Sequence, residues 1–103
     1  ALLEQALINL ILNAIEAVGA RPQPHVWLSV RQSGHERVTI TVEDNGVGMN
    51  AEVQEKIFVP FFTTRRNGSG VGLSISRQIV HVHGGTIAVL STPDEGTTFT
   101  IRL

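Results

Sequence analysis

The first eighteen residues form an apolar stretch that is interrupted by polar side chains at regular intervals. Residues 1–18 read ALLEQALINLILNAIEAV, and Gln5, Asn9, Asn13 and Glu16 recur at spacings of four, four and three residues. At 100° per residue these positions line one narrow stripe of a helix whose other faces are apolar. A buried amide without a hydrogen-bond partner costs about 1–3 kcal/mol. The pattern therefore predicts a helix whose polar stripe faces either a neighbouring backbone or a polar ligand.

The pattern beyond this helix predicts two strand pairs separated by two helices. Gly19 ends the first helix, and Pro22 and Pro24 prevent it from resuming. The predicted elements are strands at 25–32 and 37–43, a short helix capped by Asn50 and ending at Phe58, a loop at 59–69, a helix at 71–83 stopped by Gly84 and Gly85, and strands at 86–91 and 97–103. We expect an α+β fold, a two-layer sandwich with helices on one face of a mixed, mostly antiparallel sheet.

Composition narrows the class of protein. A chain of 103 residues is one domain, and a net charge of −1 with 17% charged residues provides no basic stripe for nucleic acid. No cysteine is present, so disulfides and thiolate metal sites are excluded. No apolar run approaches the roughly 20 residues of a membrane span, and we expect this domain not to contact a membrane. The chain begins inside a helical pattern without an N-cap residue, which predicts a fragment of a longer protein. The lack of cysteine is compatible with a reducing cytosol, and we expect this domain to be cytoplasmic, whether or not its parent protein is anchored in a membrane.

A glycine-containing segment follows the second predicted strand. Residues 44–49 read DNGVGM. Asp or Asn before Gly is common in tight turns that bind nothing. Here, however, a helix follows instead of a strand, two glycines allow the backbone to approach a flat ligand, and Asp44 can accept a hydrogen bond from an exocyclic amine. That chemistry suits adenine.

A second glycine-rich segment opens the last predicted helix. Residues 68–73 read GSGVGL, and backbone N–H groups at the start of a helix are a site for phosphate. Such runs also occur in flexible loops. The spacing is not that of the Rossmann fingerprint, and the Lys-Ser/Thr ending of a P-loop is absent.

A third segment, residues 58–66, reads FVPFFTTRR. Its phenylalanines can anchor a loop to the core, and its arginines can be a solvated tip. In the functional alternative, residues 59–69 form a lid that Phe61 and Phe62 anchor at its root, and Arg65 or Arg66 reaches a phosphate from it.

Together these segments resemble the ATP-binding catalytic domain of sensor histidine kinases, in the wider group that includes gyrase, MutL and heat-shock chaperone ATPases. NLILNA is similar to the N box, DNGVGM to the first glycine box, FVPFFTT to the F box and GSGVGLS to the second glycine box. The boxes occur in the family's order and the resemblance covers essentially the whole chain. The segments NAIEAV, FFTTR, GVGLSISRQIV and HGGTI are most similar to those of nitrogen-regulatory and oxygen-sensing kinases.

The resemblance implies ATP and Mg²⁺ as cofactors and assigns a role to each box. Asn13 would give its side-chain oxygen to Mg²⁺, and Asn9 would face the same ion or its water. Asp44 would bond the adenine amino group, with Gly46 and Gly48 closing on the base. The remaining implied nucleotide contacts, from the lid and the second glycine box, are Phe62, Thr63, Thr64, Arg65, Arg66, Gly68, Gly70, Val71, Gly72 and Leu73.

Two positions depart from the family pattern. Many members have Lys and an aromatic residue where this chain has Glu16 and Ala17, so phosphate charge would fall more heavily on Arg65, Arg66 and Mg²⁺. Gyrase-like members have a carboxylate base at the position of Asn9. An Asn is not a general base at neutral pH, so efficient ATP hydrolysis by this domain alone is not expected.

The resemblance also implies partners that this chain lacks. The phosphate acceptor of the family is a His on a separate dimerisation domain, and the four His here are not in such a context. His81 and His83 are two apart on a helix and point away from each other, so a shared metal is not expected. We expect the parent protein to be a homodimer that transfers the γ-phosphoryl to its own dimerisation domain and signals to a response regulator. A protein-serine kinase of the same fold and a nucleotide-sensing module without transfer are the alternatives.

Overall fold

The computed structural model describes residues 2–32, 34, 36–60 and 72–103, and the predicted elements appear there in the predicted order. The helices and strands are α1 (Leu2–Ala17), β1 (Val26–Gln32), β2 (Val38–Asp44), α2 (Ala51–Lys56), α3 (Gly72–Val82), β3 (Thr86–Thr92) and β4 (Gly96–Arg102). The ends differ from the predicted ones by one or two residues. Most of the predicted loop at 59–69 lies outside the described residues.

The four strands form one sheet in the order β1-β2-β4-β3, and each neighbouring pair is antiparallel. Both predicted strand pairs are therefore hairpins, and β2 and β4 join them in the middle of the sheet. The α+β prediction, with helices on one face of a mostly antiparallel sheet, is confirmed.

The core lies between this sheet and the pair α1 and α3. Side chains alternate between the two faces of a strand, so every second residue of β2 and β4 points to the helices. The buried apolar side chains of the core are Ala6, Leu10, Ala14, Val18, Val42, Ile57, Ile79, Val80, Phe99 and Ile101. Phe99 packs edge-on against Phe58, with ring centroids 6.3 Å apart. This contact anchors the residues after α2 to the centre of the sheet.

Local signals explain where the shorter elements begin and end. The Asn50 side chain accepts a hydrogen bond from the Val53 N–H at 2.9 Å, which is the predicted N-cap of α2. Gly84 has a φ of +77°, and the Gly85 N–H donates to the Val80 carbonyl at 2.9 Å. This left-handed residue ends α3 as predicted.

The helices were also compared with the requirements of a membrane span. Among the described residues, no helix is both long enough and apolar enough to cross a bilayer.

Candidate functional site

A cavity of about 250 Å³ lies where the last two turns of α1 meet the residues that follow β2. Its lining comprises Asn13, Glu16, Ala17, Val47, Gly48, Met49 and Thr97. Two of the segments singled out in the sequence, the amide stripe and the first glycine segment, therefore meet in space. They are more than 25 residues apart in the chain, and only the packing of α1 on the sheet brings them together.

Asp44 ends β2 beside this cavity and is 3% exposed. It pairs across the sheet with Thr97, which lines the cavity. One carboxylate oxygen, Oδ1, accepts a hydrogen bond from the Gly46 N–H at 2.8 Å. The other oxygen, Oδ2, is buried and has no hydrogen-bond partner in the described part of the chain. A buried acceptor without a partner is costly, and a ligand that donates a hydrogen bond would remove that cost.

The electrostatics of Asp44 reflect this burial. Desolvation raises the pKa of its carboxyl above the ordinary value, because burial disfavours the charged form. The backbone N–H groups of Gly46 and Thr97 lower the pKa of this carboxyl, and the neighbouring charge of Glu43 raises it further. The carboxylate is therefore held in a site that favours an additional hydrogen-bond donor.

The glycines after Asp44 allow three backbone segments to meet. A Cβ atom on Gly46 would lie 2.5 Å from the carbonyl oxygen of Ala17, at the end of α1. Gly48 has a φ of +69°, and a Cβ atom there would lie 2.0 Å from the carbonyl oxygen of Thr92. Residues 45–48, which we call the glycine turn, therefore lie between the end of α1 and the turn that joins β3 to β4. That these glycines also close on a base stays a prediction.

Three strands, β2, β3 and β4, have polar side chains on their helix-facing side at the same end of the sheet. Our sequence analysis missed this signal. Each helix-facing row is apolar along most of its length and ends in Asp44 on β2, Ser91 on β3 or Thr97 on β4. The register places Thr97 opposite both Asp44 and Ser91. The hydroxyl oxygens of Ser91 and Thr97 are 2.7 Å apart. Asp44, Thr97 and Ser91 thus form a polar floor at this end of the sheet, beside the cavity.

Two further polar side chains hold Met49 in the cavity wall. The Met49 N–H donates to Ser91 Oγ at 2.8 Å, and Gln54 Nε2 donates to the Met49 carbonyl at 3.0 Å. Gln54 Nε2 also donates to the Ser91 carbonyl at 3.0 Å. These bonds fix the chain that leaves the glycine turn for α2. Neither residue stood out in the sequence, since the two contacts of Ser91 join positions that are 42 and 37 residues apart.

The two asparagines of α1 have different environments. Asn9 Nδ2 donates to the Gly72 carbonyl and to Ser76 Oγ, both at 3.3 Å, and its Oδ1 accepts from Gln5 Nε2 at 3.1 Å. Asn13 is half-buried and lines the cavity, and its side chain makes no hydrogen bond to another described residue. The neighbouring-element alternative therefore holds for Asn9, and a polar ligand at Asn13 stays a prediction. Asn9 is satisfied by a neighbouring element, and Asn13 faces the cavity.

The bonds made by Asn9 predict an asymmetry between two nearly isosteric variants. Asn9→Asp replaces the donating amide with a carboxylate oxygen that faces the carbonyl of Gly72, so we expect it to lower the free energy of unfolding by about 1–3 kcal/mol. Asn13→Asp, one turn away, removes no hydrogen bond to a described residue and should change stability by less than about 0.5 kcal/mol. Urea unfolding at pH 7 measures both values. Equal stability of Asn9→Asp and the wild type would contradict the assigned donor role.

The second glycine segment is only partly described. Gly72 is the first residue of α3, and Leu73 packs against the core. The predicted contacts that lie outside the described residues are Phe62, Thr63, Thr64, Arg65, Arg66, Gly68, Gly70 and Val71. Their assigned roles stay predictions.

The described residues contain no cluster of three His, Cys, Asp or Glu side chains that could hold a metal ion by themselves. The amide oxygen of Asn13 nevertheless suits Mg²⁺, which keeps several waters and takes few protein ligands when it is bound with phosphates. This donor fits the predicted cofactor without a dedicated metal cage.

Comparison with known proteins agrees with this geometry. The family model described as histidine kinase-, DNA gyrase B-, and HSP90-like ATPase matches residues 1–103. The chain belongs to this ATPase family. The resemblance of the four boxes to sensor histidine kinases is confirmed, because the relatives of the chain include such kinases.

Three relatives illustrate the similarity of this ATPase domain to other members. The signal transduction histidine-protein kinase AtoS of Escherichia coli (strain K12) is 42% identical over 102 residues, which is 99% of this chain and 16% of AtoS. The catalytic domain of histidine kinase ThkA is 37% identical with a TM-score of 0.81, and the match covers 97% of this chain and 64% of ThkA. Full-length ShkA in complex with AMPPNP is 29% identical with a TM-score of 0.84, and the match covers 97% of this chain and 20% of ShkA. The chain therefore spans about a sixth of the length of AtoS.

Proposed function

We propose that this domain binds ATP with Mg²⁺ and that, in the full-length protein, it provides the γ-phosphoryl group to a histidine of a separate dimerisation domain. The main support for this proposal is the cavity that Asn13 lines together with the glycine turn. The polar floor that includes the buried Asp44 lies beside this cavity. Membership of the ATPase family and the presence of AMPPNP, an ATP analogue, in the complex of ShkA support it.

The adenine end of the site is formed by Asp44 and its surroundings. Oδ2 of Asp44 accepts no hydrogen bond in the described part of the chain, and the exocyclic amine of adenine is a donor. Guanine has a carbonyl at the corresponding position, so it would oppose one acceptor with another. The domain should therefore prefer ATP to GTP.

The phosphate end lies toward Asn9 and the first turn of α3. Ala17 lines the cavity, and Asn9 contacts Gly72 at the start of α3. These two residues of α1 are eight positions apart, about 12 Å along a helix with a rise of 1.5 Å per residue. Asn13 lies midway between them. A nucleotide lying along α1 would place its base at the glycine turn, its phosphates at the N-terminus of α3, and Asn13 beside the bound Mg²⁺.

The chemistry of the proposed transfer requires positioning and neutralisation of charge more than covalent participation. Mg²⁺ would supply charge neutralisation at the phosphates when it is bound, with Asn13 as its ligand from this chain. Arg65 and Arg66 remain our candidates for additional phosphate donors. Asn9 is an amide and donates to Gly72 and Ser76, so it does not activate water. We therefore expect slow ATP hydrolysis without a histidine acceptor, because Asn9 does not serve as a base.

Calorimetric titration with ATP and GTP, each with and without Mg²⁺, tests nucleotide binding. We expect binding of ATP to be at least 10-fold tighter than that of GTP and to be strengthened by Mg²⁺. In Asn13→Ala, Mg²⁺ should strengthen ATP binding much less than in the wild type. The control is Gln78→Ala, which removes an exposed amide of α3 and should bind ATP and respond to Mg²⁺ as the wild type does. Equal binding of the two nucleotides would contradict the assignment of Asp44 to adenine.

Incubation with ATP and a separately supplied dimerisation domain tests the transfer. Acid-labile, base-stable phosphohistidine on that domain is the expected product. Phosphoserine on the acceptor would support the serine-kinase alternative. ATP binding without any phosphoprotein would support a nucleotide-sensing module.

A further inference from the structure

One cationic side chain outside the four boxes connects the segments that surround the glycine turn. Arg21 lies four residues after the end of α1 and is half-buried. Its Nε donates to the carbonyl of Asn45 at 3.0 Å, and its Nη2 donates to the carbonyl of Gly46 at 2.7 Å. Nη2 also donates to the carbonyl of Asp94 in the turn between β3 and β4. A single guanidinium therefore binds three carbonyl groups from two separate turns.

The segments at this junction also contact each other through backbone atoms. The Val47 N–H donates to the Ala17 carbonyl at 3.2 Å, and the Asp94 N–H donates to the Val47 carbonyl at 2.7 Å. A side chain on Gly46 or Gly48 would collide with Ala17 or Thr92, so these positions offer no side chain that could hold the segments together. Arg21 supplies side-chain contacts at this junction.

The backbone conformation of Asp94 shows that its contact with Arg21 is structurally important. It has a φ of +64°, in the left-handed region that a residue with a side chain seldom adopts. Such a conformation persists when surrounding contacts impose it. The N–H of Asp94 bonds to Val47 and its carbonyl bonds to Arg21, so both sides of the residue are tied to the glycine turn.

The chemistry of arginine suits this position. Its planar guanidinium is always charged and presents five donors in a fixed fork, whereas lysine has a compact ammonium group on a flexible stem. Hydrogen bonds from a charged donor are about twice as strong as those between neutral groups. Arg21 is not among the residues that line the cavity beside Asn13 and Met49. Its action on a bound nucleotide would be through the turn and not by contact.

We propose that Arg21 is a positioning residue for nucleotide binding, which holds the glycine turn and the β3–β4 turn against the end of α1 in the conformation that receives the base. This inference rests on the proposed function, because it assigns a role in forming the same pocket. It predicts that loss of the guanidinium lowers nucleotide affinity by allowing the turn to move, while the sheet and its core stay intact.

The test compares Arg21→Met and Arg21→Lys with the wild type by calorimetry with Mg²⁺-ATP and by amide hydrogen exchange. Arg21→Met should bind ATP at least 10-fold more weakly, and the amides of Val47 and Asp94 should exchange at least 10-fold faster. The amides of Ile40 and Phe99, in the middle of the sheet, should keep their wild-type rates. Arg21→Lys should give intermediate values, since it keeps the charge but not the fork.

A variant that weakens the core serves as the matched control. Ile101→Val lies in β4, four residues from Thr97 toward the opposite end of the strand, and should lower the melting temperature without changing ATP affinity. Wild-type affinity in Arg21→Met, or faster exchange spread equally over the whole sheet, would overturn the positioning role alone. Failure of the wild type itself to bind ATP would overturn the proposed function together with this inference. If Arg21→Met does not fold, the same comparisons with Arg21→Lys decide the question.

Discussion

The Asp44→Asn variant should lose nucleotide binding while its ligand-free fold becomes more stable. An Asn can keep an oxygen facing the N–H of Gly46, but it then places an NH₂ group where Oδ2 lies. That NH₂ would oppose the amine of adenine, donor against donor. We expect at least a 100-fold loss of ATP affinity, about 2.7 kcal/mol. Oδ2 has no hydrogen-bond partner among the described residues, and replacing this buried charge with a neutral amide should raise the free energy of unfolding at pH 7 by about 1 kcal/mol.

The pH dependence of stability should change in the same variant. The pKa of Asp44 in the folded state is raised above its ordinary value of 3.8, so the folded protein holds this proton more tightly than the unfolded chain. The contribution of Asp44 to stability is therefore greatest below the ordinary pKa and is lost as the pH rises through the raised one. Asp44→Asn should lack this component. Affinity for ATP in the wild type should fall as Asp44 becomes protonated, because a protonated oxygen is a poorer acceptor.

Urea unfolding and calorimetry across a pH series measure these effects, with Glu43→Gln as the matched control. Glu43 is the adjacent carboxylate of β2 and is exposed on the other face of the sheet. The Glu43→Gln variant should therefore bind ATP with an affinity within about twofold of that of the wild type. Retention of ATP binding by Asp44→Asn would reject the assignment of Asp44 to the base, and a fall in its stability would reject the account of a costly buried charge.

The second large effect is expected from Gly48→Ala. The Cβ atom would lie 2.0 Å from the carbonyl oxygen of Thr92, and the φ of +69° is unfavourable for any residue with a side chain. The β3–β4 turn would have to move away from the glycine turn, breaking the bond from the Asp94 N–H to the Val47 carbonyl. We expect the free energy of unfolding to fall by at least about 3 kcal/mol, a large part of the stability of a small domain. ATP binding should be lost in the fraction that still folds.

Gly84→Ala separates the two causes of this loss. Gly84 has a similar φ of +77°, but a Cβ atom there would meet nothing within 4 Å. This variant should therefore show only the backbone cost, about 1–2 kcal/mol. The difference between the two variants, measured by urea unfolding under identical conditions, estimates the cost of the collision with Thr92. Equal losses would mean that the approach of the two turns contributes nothing to stability.

Local sequence signals were sufficient for the framework of the domain. The stop at Gly84, the cap at Asn50 and the alternation of β2 and β4 each act over a few residues, so they could be recognised without knowledge of the fold. The hairpins followed from strand patterns that are adjacent in the chain. The order of the four boxes identified the family, and the family model confirmed it.

No local sequence pattern predicted the pairing of β2 with β4, because these strands are separated by more than 50 residues. This pairing places Asp44 opposite Thr97, and the β3–β4 hairpin places Ser91 on the other side of Thr97. The three residues together form the polar floor. A single polar residue at the end of each strand is unremarkable when the strands are considered separately.

The sequence by itself determined the elements and the family, and it predicted which residues contact a nucleotide. Tertiary structure alone decided which of them face the cavity. Asn9 and Asn13 are the same residue type one turn apart on one helix, yet α3 covers the first and leaves the second beside the glycine turn. Arg21 gave no local signal either, since its three acceptors are backbone carbonyls, which every residue has. Local chemistry sets what a side chain can do, but the packing of distant segments sets which partner it meets.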